Sequence, residues 1–158
     1  MFGEQHVPAP VRDDAEQIEP QPVFGAYMQN KIATAFQSEE VRQKVIPAYM
    51  GLIKQIDDQM GRLFKHLEDR GIADETMIVF TSDHGDYLGD HWLGEKDLFY
   101  DCSARVPLIV YDPRAEANCT RGTVTDKLVE GIDLLPTFLV NISIRVIFIR
   151  FQLAVVLV

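Results

Sequence analysis

The chain has 158 residues, 47% hydrophobic and 25% charged, a composition typical of a globular protein. Its formal net charge of −9 argues against nucleic acid or an anionic membrane as the main partner. Two cysteines, Cys102 and Cys119, are too few for a disulfide framework, and the chain does not open on a basic segment followed by an apolar run. These features predict a cytoplasmic location.

Residues 1–37 are acidic and rich in proline. Proline fixes the backbone angle φ and removes a hydrogen-bond donor, while clustered like charges favour extended chain. We therefore expect an extended arm on the surface here, rather than a folded element. The residues that indicate this are Pro8, Pro10, Pro20, Pro22, Asp13, Asp14, Glu16 and Glu19.

A long helix is predicted to begin at Ser38, because a serine hydroxyl can cap the first backbone N–H groups of a helix. Pro47 either kinks this helix or separates two helices, and Gly71 indicates the end. Apolar residues then recur at steps of three and four, which favours a helix that packs one face on a sheet. This stripe consists of Ile53, Ile56, Met60, Leu63, Phe64 and Leu67.

Two apolar runs are predicted to be strands, at residues 77–80 and 107–111, and residues 126–140 are predicted to form a further helix. Together with the long helix they make an α/β segment over residues 38–140. Two strands are too few for a parallel sheet covered on both faces, since sheets usually carry about five or six strands. The segment is therefore expected to be part of a larger fold.

Residues 141–158 form an almost unbroken apolar run, interrupted by Arg145 and Arg150. The run is shorter than the roughly 20 residues of a membrane-spanning helix, so no membrane contact is expected. We interpret it as a divergent tail. Exposed β-branched runs of this kind promote aggregation, so association through exposed apolar surface is also expected.

A carboxylate, an imidazole and a glycine follow the first predicted strand directly: Asp83, His84 and Gly85. Ligands in open α/β sheets bind beyond the carboxyl ends of the strands, and oxygen and nitrogen donors together suit a divalent metal ion. Twelve residues after His84, Lys96 supplies a positive charge. A bare motif of this length also fits a polar turn in which Asp83 caps the next segment and Lys96 is solvated.

The wider pattern narrows these alternatives. Residues 83–91, 94–96 and 103–111 resemble the carboxyl-side half of the sulfatase family of the alkaline phosphatase superfamily. Residues 92–105 are most similar to its phosphonate monoester hydrolase and phosphodiesterase branch. The resemblance covers roughly residues 48–140. It implies a partial alkaline-phosphatase-like sandwich, with helices on a mostly parallel sheet, and a truncated one.

The resemblance also implies a function: metal-dependent hydrolysis of phosphonate, phosphate or sulfate esters, with a small anionic ester as substrate. By position, Asp83 and His84 match two metal ligands of the family, and Lys96 matches the catalytic lysine that contacts the transferred group. The metal would be Mn, Fe, Zn or Ca. A histidine ligand favours the first three, because Ca²⁺ prefers shells made only of oxygen.

The family's nucleophile is a formylglycine made from a cysteine, which is followed by proline two residues later and arginine four residues later. No such pattern occurs in this chain, since Cys102 is followed two residues later by Ala104. We therefore expect a formylglycine in a parent protein only, and this chain alone to be inactive. The alternative is a non-catalytic interaction module that retains the sulfatase-like half-fold.

Overall fold

A computed structural model describes residues 7–140 and 145–151 of the chain. The described elements are, in chain order, α1 (Ala15–Ile18), α2 (Pro22–Tyr27), α3 (Glu39–Asp69), β1 (Thr76–Ser82), α4 (Asp101–Ala104), β2 (Leu108–Tyr111), α5 (Leu134–Val140) and β3 (Arg145–Phe151). Short 3₁₀ turns connect several of them.

The sheet confirms the α/β class but is mixed. Its strand order is β2-β1-β3, with β1 antiparallel to β2 and parallel to β3. The β1–β3 pair is parallel as expected, and β2 is the antiparallel member of the sheet. The reason is the connection, because no crossover helix carries the chain back from the end of β1 to its start. A loop and the short α4 instead leave the chain at the carboxyl end of β1, and β2 runs back along it.

The long helix α3 is continuous. The Ser38 hydroxyl accepts a hydrogen bond from the Val41 amide, as predicted for a cap. Pro47 lies inside this single helix, so of the two alternatives given for Pro47 the separation into two helices is excluded. Gly71 follows the last turn with φ of +66°, a left-handed conformation that glycine adopts without a Cβ penalty.

The apolar stripe of α3 lies over one face of the sheet. In the β1–β2 register Ile78 pairs with Tyr111 and Phe80 with Ile109, so these four side chains share a face. They and the stripe, apart from Leu63, line a groove of about 600 Å³. On the other face, Thr81 and Leu108 line a cavity of about 690 Å³. Leu134, Leu135 and Phe138 of α5 line the same cavity.

The extended arm expected over residues 1–37 differs from the structure. Residues 15–18 and 22–27 are helical, and Phe24 and Ala33 are buried in a cluster with Tyr87 and Leu93. The expectation of an arm depended on the prolines and charged residues of the segment. Local composition does not show whether an apolar residue such as Phe24 can pack against residues far away in the chain.

The second predicted helix is shorter than expected. Residues 123–130 have no regular structure, and α5 occupies only residues 134–140 after a turn at residues 131–133. Gly131 is a poor helix former, which weakens continuation from residue 126. The helices described between residues 7 and 140 include none that is long and apolar enough to cross a membrane.

The apolar tail lies partly outside the described residues, which omit 141–144 and 152–158. The described part is β3, which pairs with the whole of β1 from Thr76 to Ser82. Its β-branched and aromatic residues favour an extended strand. The divergence of this tail, and the division of the chain at residues 37 and 140, stay predictions.

Candidate active site at the end of the first strand

The backbone that carries the motif is fixed from several sides where β1 ends. The Ser82 hydroxyl donates to the His84 carbonyl at 2.8 Å, and the Gly85 amide donates to the Ser103 carbonyl at 2.7 Å. A Cβ at Gly85 would overlap the backbone carbonyl of Cys102. The close approach of the Cys102 backbone therefore requires a residue without a side chain at position 85.

Asp83 and His84 point to the same place. The His84 Nε2 atom lies 3.7 Å from the Asp83 Oδ2 atom, and the two side chains are 20% and 19% exposed. Two ligand atoms at this separation, each about 2.1 Å from one ion, would subtend an angle of about 124° at the ion, which is wider than the tetrahedral angle of about 109° by roughly 15°. The pair therefore fits two positions of a divalent metal site.

The donor set is nevertheless partial. Within residues 7–140 and 145–151, no group of three or more histidine, cysteine, aspartate or glutamate side chains is arranged to hold an ion. Protein metal sites of high affinity commonly use three or four protein ligands. The ligand roles of Asp83 and His84 stay predictions.

Lys96 lies against the imidazole of His84. Its Nζ atom is 2.9 Å from His84 Nε2, while His84 Nδ1 lies 2.8 Å from the Gly85 carbonyl oxygen. A carbonyl can only accept, so Nδ1 carries the proton and Nε2 accepts from the lysine. The same Nε2 lone pair can serve the Lys96 ammonium or a metal ion, but not both at once. The structure thus brings the three predicted site residues together.

A half-buried carboxylate, Asp86, lies beside this group. The Tyr49 hydroxyl donates to Asp86 Oδ2 at 2.7 Å and joins the site loop to α3. Burial raises the pKa of Asp86, with a smaller rise from the charge of Glu95, while the tyrosine hydrogen bond and the charge of Lys96 oppose that rise. Burial also raises the pKa of Tyr49, reinforced by its contact with Asp86. Tyr49 therefore remains a hydrogen-bond donor at neutral pH.

The loop from residue 86 to residue 98 has an unusual backbone. Positive φ angles in residues other than glycine cost roughly 1 kcal/mol or more each, and they persist only when surrounding contacts impose them. Here six such residues occur within this loop. They are Leu88, His91, Trp92, Glu95, Asp97 and Leu98.

Arg42 supplies one of those contacts and was missed by the sequence reasoning. Its side chain is only 2% exposed, and it donates to the Leu88 carbonyl at 3.1 Å and the Pro8 carbonyl at 2.7 Å. The signal was present in the sequence, because Arg42 lies four and seven residues before the buried Ile46 and Tyr49. That spacing places the guanidinium on the buried face of α3.

The similarity of this chain to known proteins identifies its family. The family model described as Sulfatase matches residues 5–141. The chain belongs to the sulfatase family. This confirms the resemblance, and the superfamily relationship is supported by a 36% identical relative. That relative is the multifunctional alkaline phosphatase superfamily protein PehA of Trinickia caryophylli, matched over 88% of this chain and 29% of its own length.

Two further similarities extend the comparison. An arylsulfatase of Clostridium perfringens is 32% identical, over 88% of this chain and 28% of its own length. The solved phosphonate monoester hydrolase SpPMH of Silicibacter pomeroyi superposes with a TM-score of 0.78 at 32% identity. It covers 92% of this chain, which corresponds to 30% of SpPMH. This sulfatase-family chain thus spans about three tenths of the length of these relatives and carries their alkaline-phosphatase-like fold over that part.

Proposed function

We propose that this chain supplies the metal-binding and anion-binding part of a metal-dependent hydrolase of phosphonate, phosphate or sulfate esters. The observation that carries the proposal is the meeting of Asp83, His84 and Lys96 at the carboxyl end of β1. A carboxylate, an imidazole and an ammonium in contact suit an ester whose negative charge must be neutralised as it reacts. The names of the relatives agree with these ester classes.

In this proposal Asp83 and His84 hold the metal ion. Mixed oxygen and nitrogen donors favour Mn²⁺, Fe²⁺ or Zn²⁺ over Ca²⁺. When bound, the ion supplies Lewis-acid stabilisation of charge on the ester oxygens. The 2.8 Å contact between His84 Nδ1 and the Gly85 carbonyl orients the ring and leaves Nε2 as the atom that would bind the ion.

Lys96 binds the transferred group. Its ammonium offers three N–H donors and lies against His84 Nε2 in this structure. When Nε2 binds the ion, the ammonium would leave that atom and would bind the anion beside the ion. Donors positioned before reaction stabilise developing negative charge without reorganising. A covalent nucleophile would come from outside this sequence, because the cysteine, proline and arginine pattern is absent from it. The proposed contribution of the chain is therefore binding and charge stabilisation, without covalent attack.

The test is calorimetric binding of methylphosphonate, inorganic phosphate and sulfate to the chain, with and without Mn²⁺. We expect anion binding to strengthen with Mn²⁺, to weaken about tenfold or more in Lys96→Ala, and to lose its Mn²⁺ dependence in Asp83→Ala. Lys44→Ala is the matched control, because Lys44 is 68% exposed on α3 and pairs with Glu40.

Equal anion affinity in the chain, Lys96→Ala and Lys44→Ala would contradict the role of Lys96. If the unmodified chain binds neither Mn²⁺ nor any of these anions, the alternative of a non-catalytic interaction module is favoured. A parallel assay with phosphodiester, phosphonate monoester and sulfate ester substrates should show no multiple turnover. Turnover that Asp83→Ala abolishes would show that the chain is a complete enzyme.

A further inference from the structure

Lys96 sits in a strained stretch of backbone. The residues on either side of it, Glu95 and Asp97, have φ angles of 61° and 84°, and Leu98 follows at 59°. Left-handed residues of this kind relax unless their peptide groups are held. The position of the Lys96 ammonium therefore depends on whatever holds this backbone.

Two tyrosine hydroxyls hold consecutive carbonyls of the stretch. Tyr27 donates to the Lys96 carbonyl at 2.6 Å, and Tyr87 donates to the Asp97 carbonyl at 2.8 Å. The Tyr27 hydroxyl also lies 3.3 Å from Asp97 Oδ2. Burial, with help from Asp97, raises the pKa of Tyr27 to about 12, so the hydroxyl remains a donor at neutral pH. The backbone that follows the Lys96 side chain is thus held at two consecutive carbonyls.

The segment that carries Tyr27 makes several contacts of its own. It is the last residue of α2, whose first turn is capped by the Gln21 side chain. Phe24 of the same helix is 4% exposed and packs edge-on against Tyr100 at 5.8 Å. The Gly94 amide donates to the Ala33 carbonyl at 2.5 Å. Residues 21–33 therefore form a rigid support beneath the loop.

We propose that Tyr27 is a positioning residue that holds the Lys96 ammonium against His84 through its hydrogen bond to the Lys96 carbonyl. The acidic amino-terminal segment is then part of the apparatus that builds the site. The value of this placement for ester binding rests on the proposed function of Lys96. The placement itself does not.

The test is Tyr27→Phe, which removes only the hydroxyl. One readout is the rate of acylation of Lys96, measured by mass spectrometry against Lys44 in the same sample. The other is the ¹⁵N chemical shift of His84 Nε2, with Lys96→Met as the reference for a lost contact. We expect acylation of Lys96 to rise about fivefold, the equivalent of one hydrogen bond of about 1 kcal/mol, and the Nε2 shift to move toward that reference.

Tyr111→Phe is the matched control, since Tyr111 lies in β2 with 41% of its surface exposed. It should change neither readout. Replacing Tyr27 with 4-aminophenylalanine restores a donor and should recover both. If Tyr27→Phe melts at a lower temperature while Lys96 acylation and the Nε2 shift stay unchanged, Tyr27 stabilises the fold only and the proposal is overturned.

Two further outcomes are decided in advance. If Tyr27→Phe does not fold, the substitution is made again together with Gly51→Ala, a stabilising change whose added Cβ meets open space in α3. Failure to fold there as well would assign Tyr27 to the fold and overturn the proposal. If the chain binds no phosphate while Tyr27→Phe still frees Lys96, the proposed function fails and the positioning role stands.

Discussion

Replacing the buried Arg42 should cost far more stability than replacing an exposed cation on the same helix. In Arg42→Met the Leu88 and Pro8 carbonyls lose a charged donor, each such bond contributing roughly 1.5–3 kcal/mol. The ion pair with Glu39 adds little, because the Glu39 side chain is 55% exposed. Methionine keeps much of the volume, which limits any cavity.

One term acts in the opposite direction. Burial lowers the pKa of Arg12, and the charge of the nearby Arg42 lowers it further. Removing Arg42 relieves that repulsion, so we expect a net loss of about 3 kcal/mol in the free energy of unfolding. Arg42→Lys should recover only part of it, because an ammonium cannot reproduce the fork of donors.

The assay is urea unfolding followed by circular dichroism, with Lys44→Met as the control. Lys44 and Glu40 are 68% and 77% exposed, so that variant should lose less than about 0.5 kcal/mol. The expected difference between the two variants is therefore about 2.5 kcal/mol. If Arg42→Met and Lys44→Met instead fall within about 1 kcal/mol of each other, about one ordinary hydrogen bond, the reasoning on buried hydrogen bonds is refuted.

Three other outcomes are expected. Gly85→Ala should destabilise by about 3 kcal/mol in urea unfolding because its Cβ meets the Cys102 carbonyl, whereas Gly51→Ala should gain about 0.5–1 kcal/mol; equal effects would contradict the close approach. Tyr27 binds its proton more tightly when folded, so its contribution to stability is complete below its ordinary pKa of 10.0 and is lost as the pH rises through about 12; the pH profile of unfolding should lose this feature in Tyr27→Phe, and an unchanged profile would refute it. The hydrogen bond from Arg114 lowers the pKa of Asp112, so the stability that the Asp112 carboxylate contributes is present above pH 3.8 and is lost as the pH falls through the lowered value. Asp112→Asn should therefore lower the free energy of unfolding at neutral pH but not in strong acid. A difference between variant and parent that stays constant with pH would be inconsistent with the pairing.

Local features of the sequence predicted local features of the fold. The Ser38 cap, the left-handed Gly71 and the first strand each depend on residues close together in the chain, and each is confirmed. The placing of Asp83 and His84 together at the end of that strand also follows from local order. Their roles stay predictions, because a role depends on what binds there.

Features that depend on distant partners could not be read from the sequence. Nothing near residues 108–111 states the direction in which β2 pairs with β1, since strand direction is fixed by the connecting chain. The packing of Phe24 and the bond from Tyr27 to Lys96 join residues about 70 positions apart, 69 in the second case. Composition alone therefore described the amino-terminal segment as an arm.

The central claim is that Asp83 and His84, with Lys96 beside them, form a specific site for a divalent metal ion. Sub-stoichiometric Mn²⁺ broadens the NMR signals of nearby residues even when binding is weak, which suits a site with two protein ligands. We expect the amide signals of Asp83, His84, Gly85 and Lys96 to broaden first, and this selectivity to vanish in Asp83→Ala. Broadening that instead begins at the exposed carboxylates of α3, Asp57, Asp58 and Asp69, and is the same in Asp83→Ala, would contradict the claim.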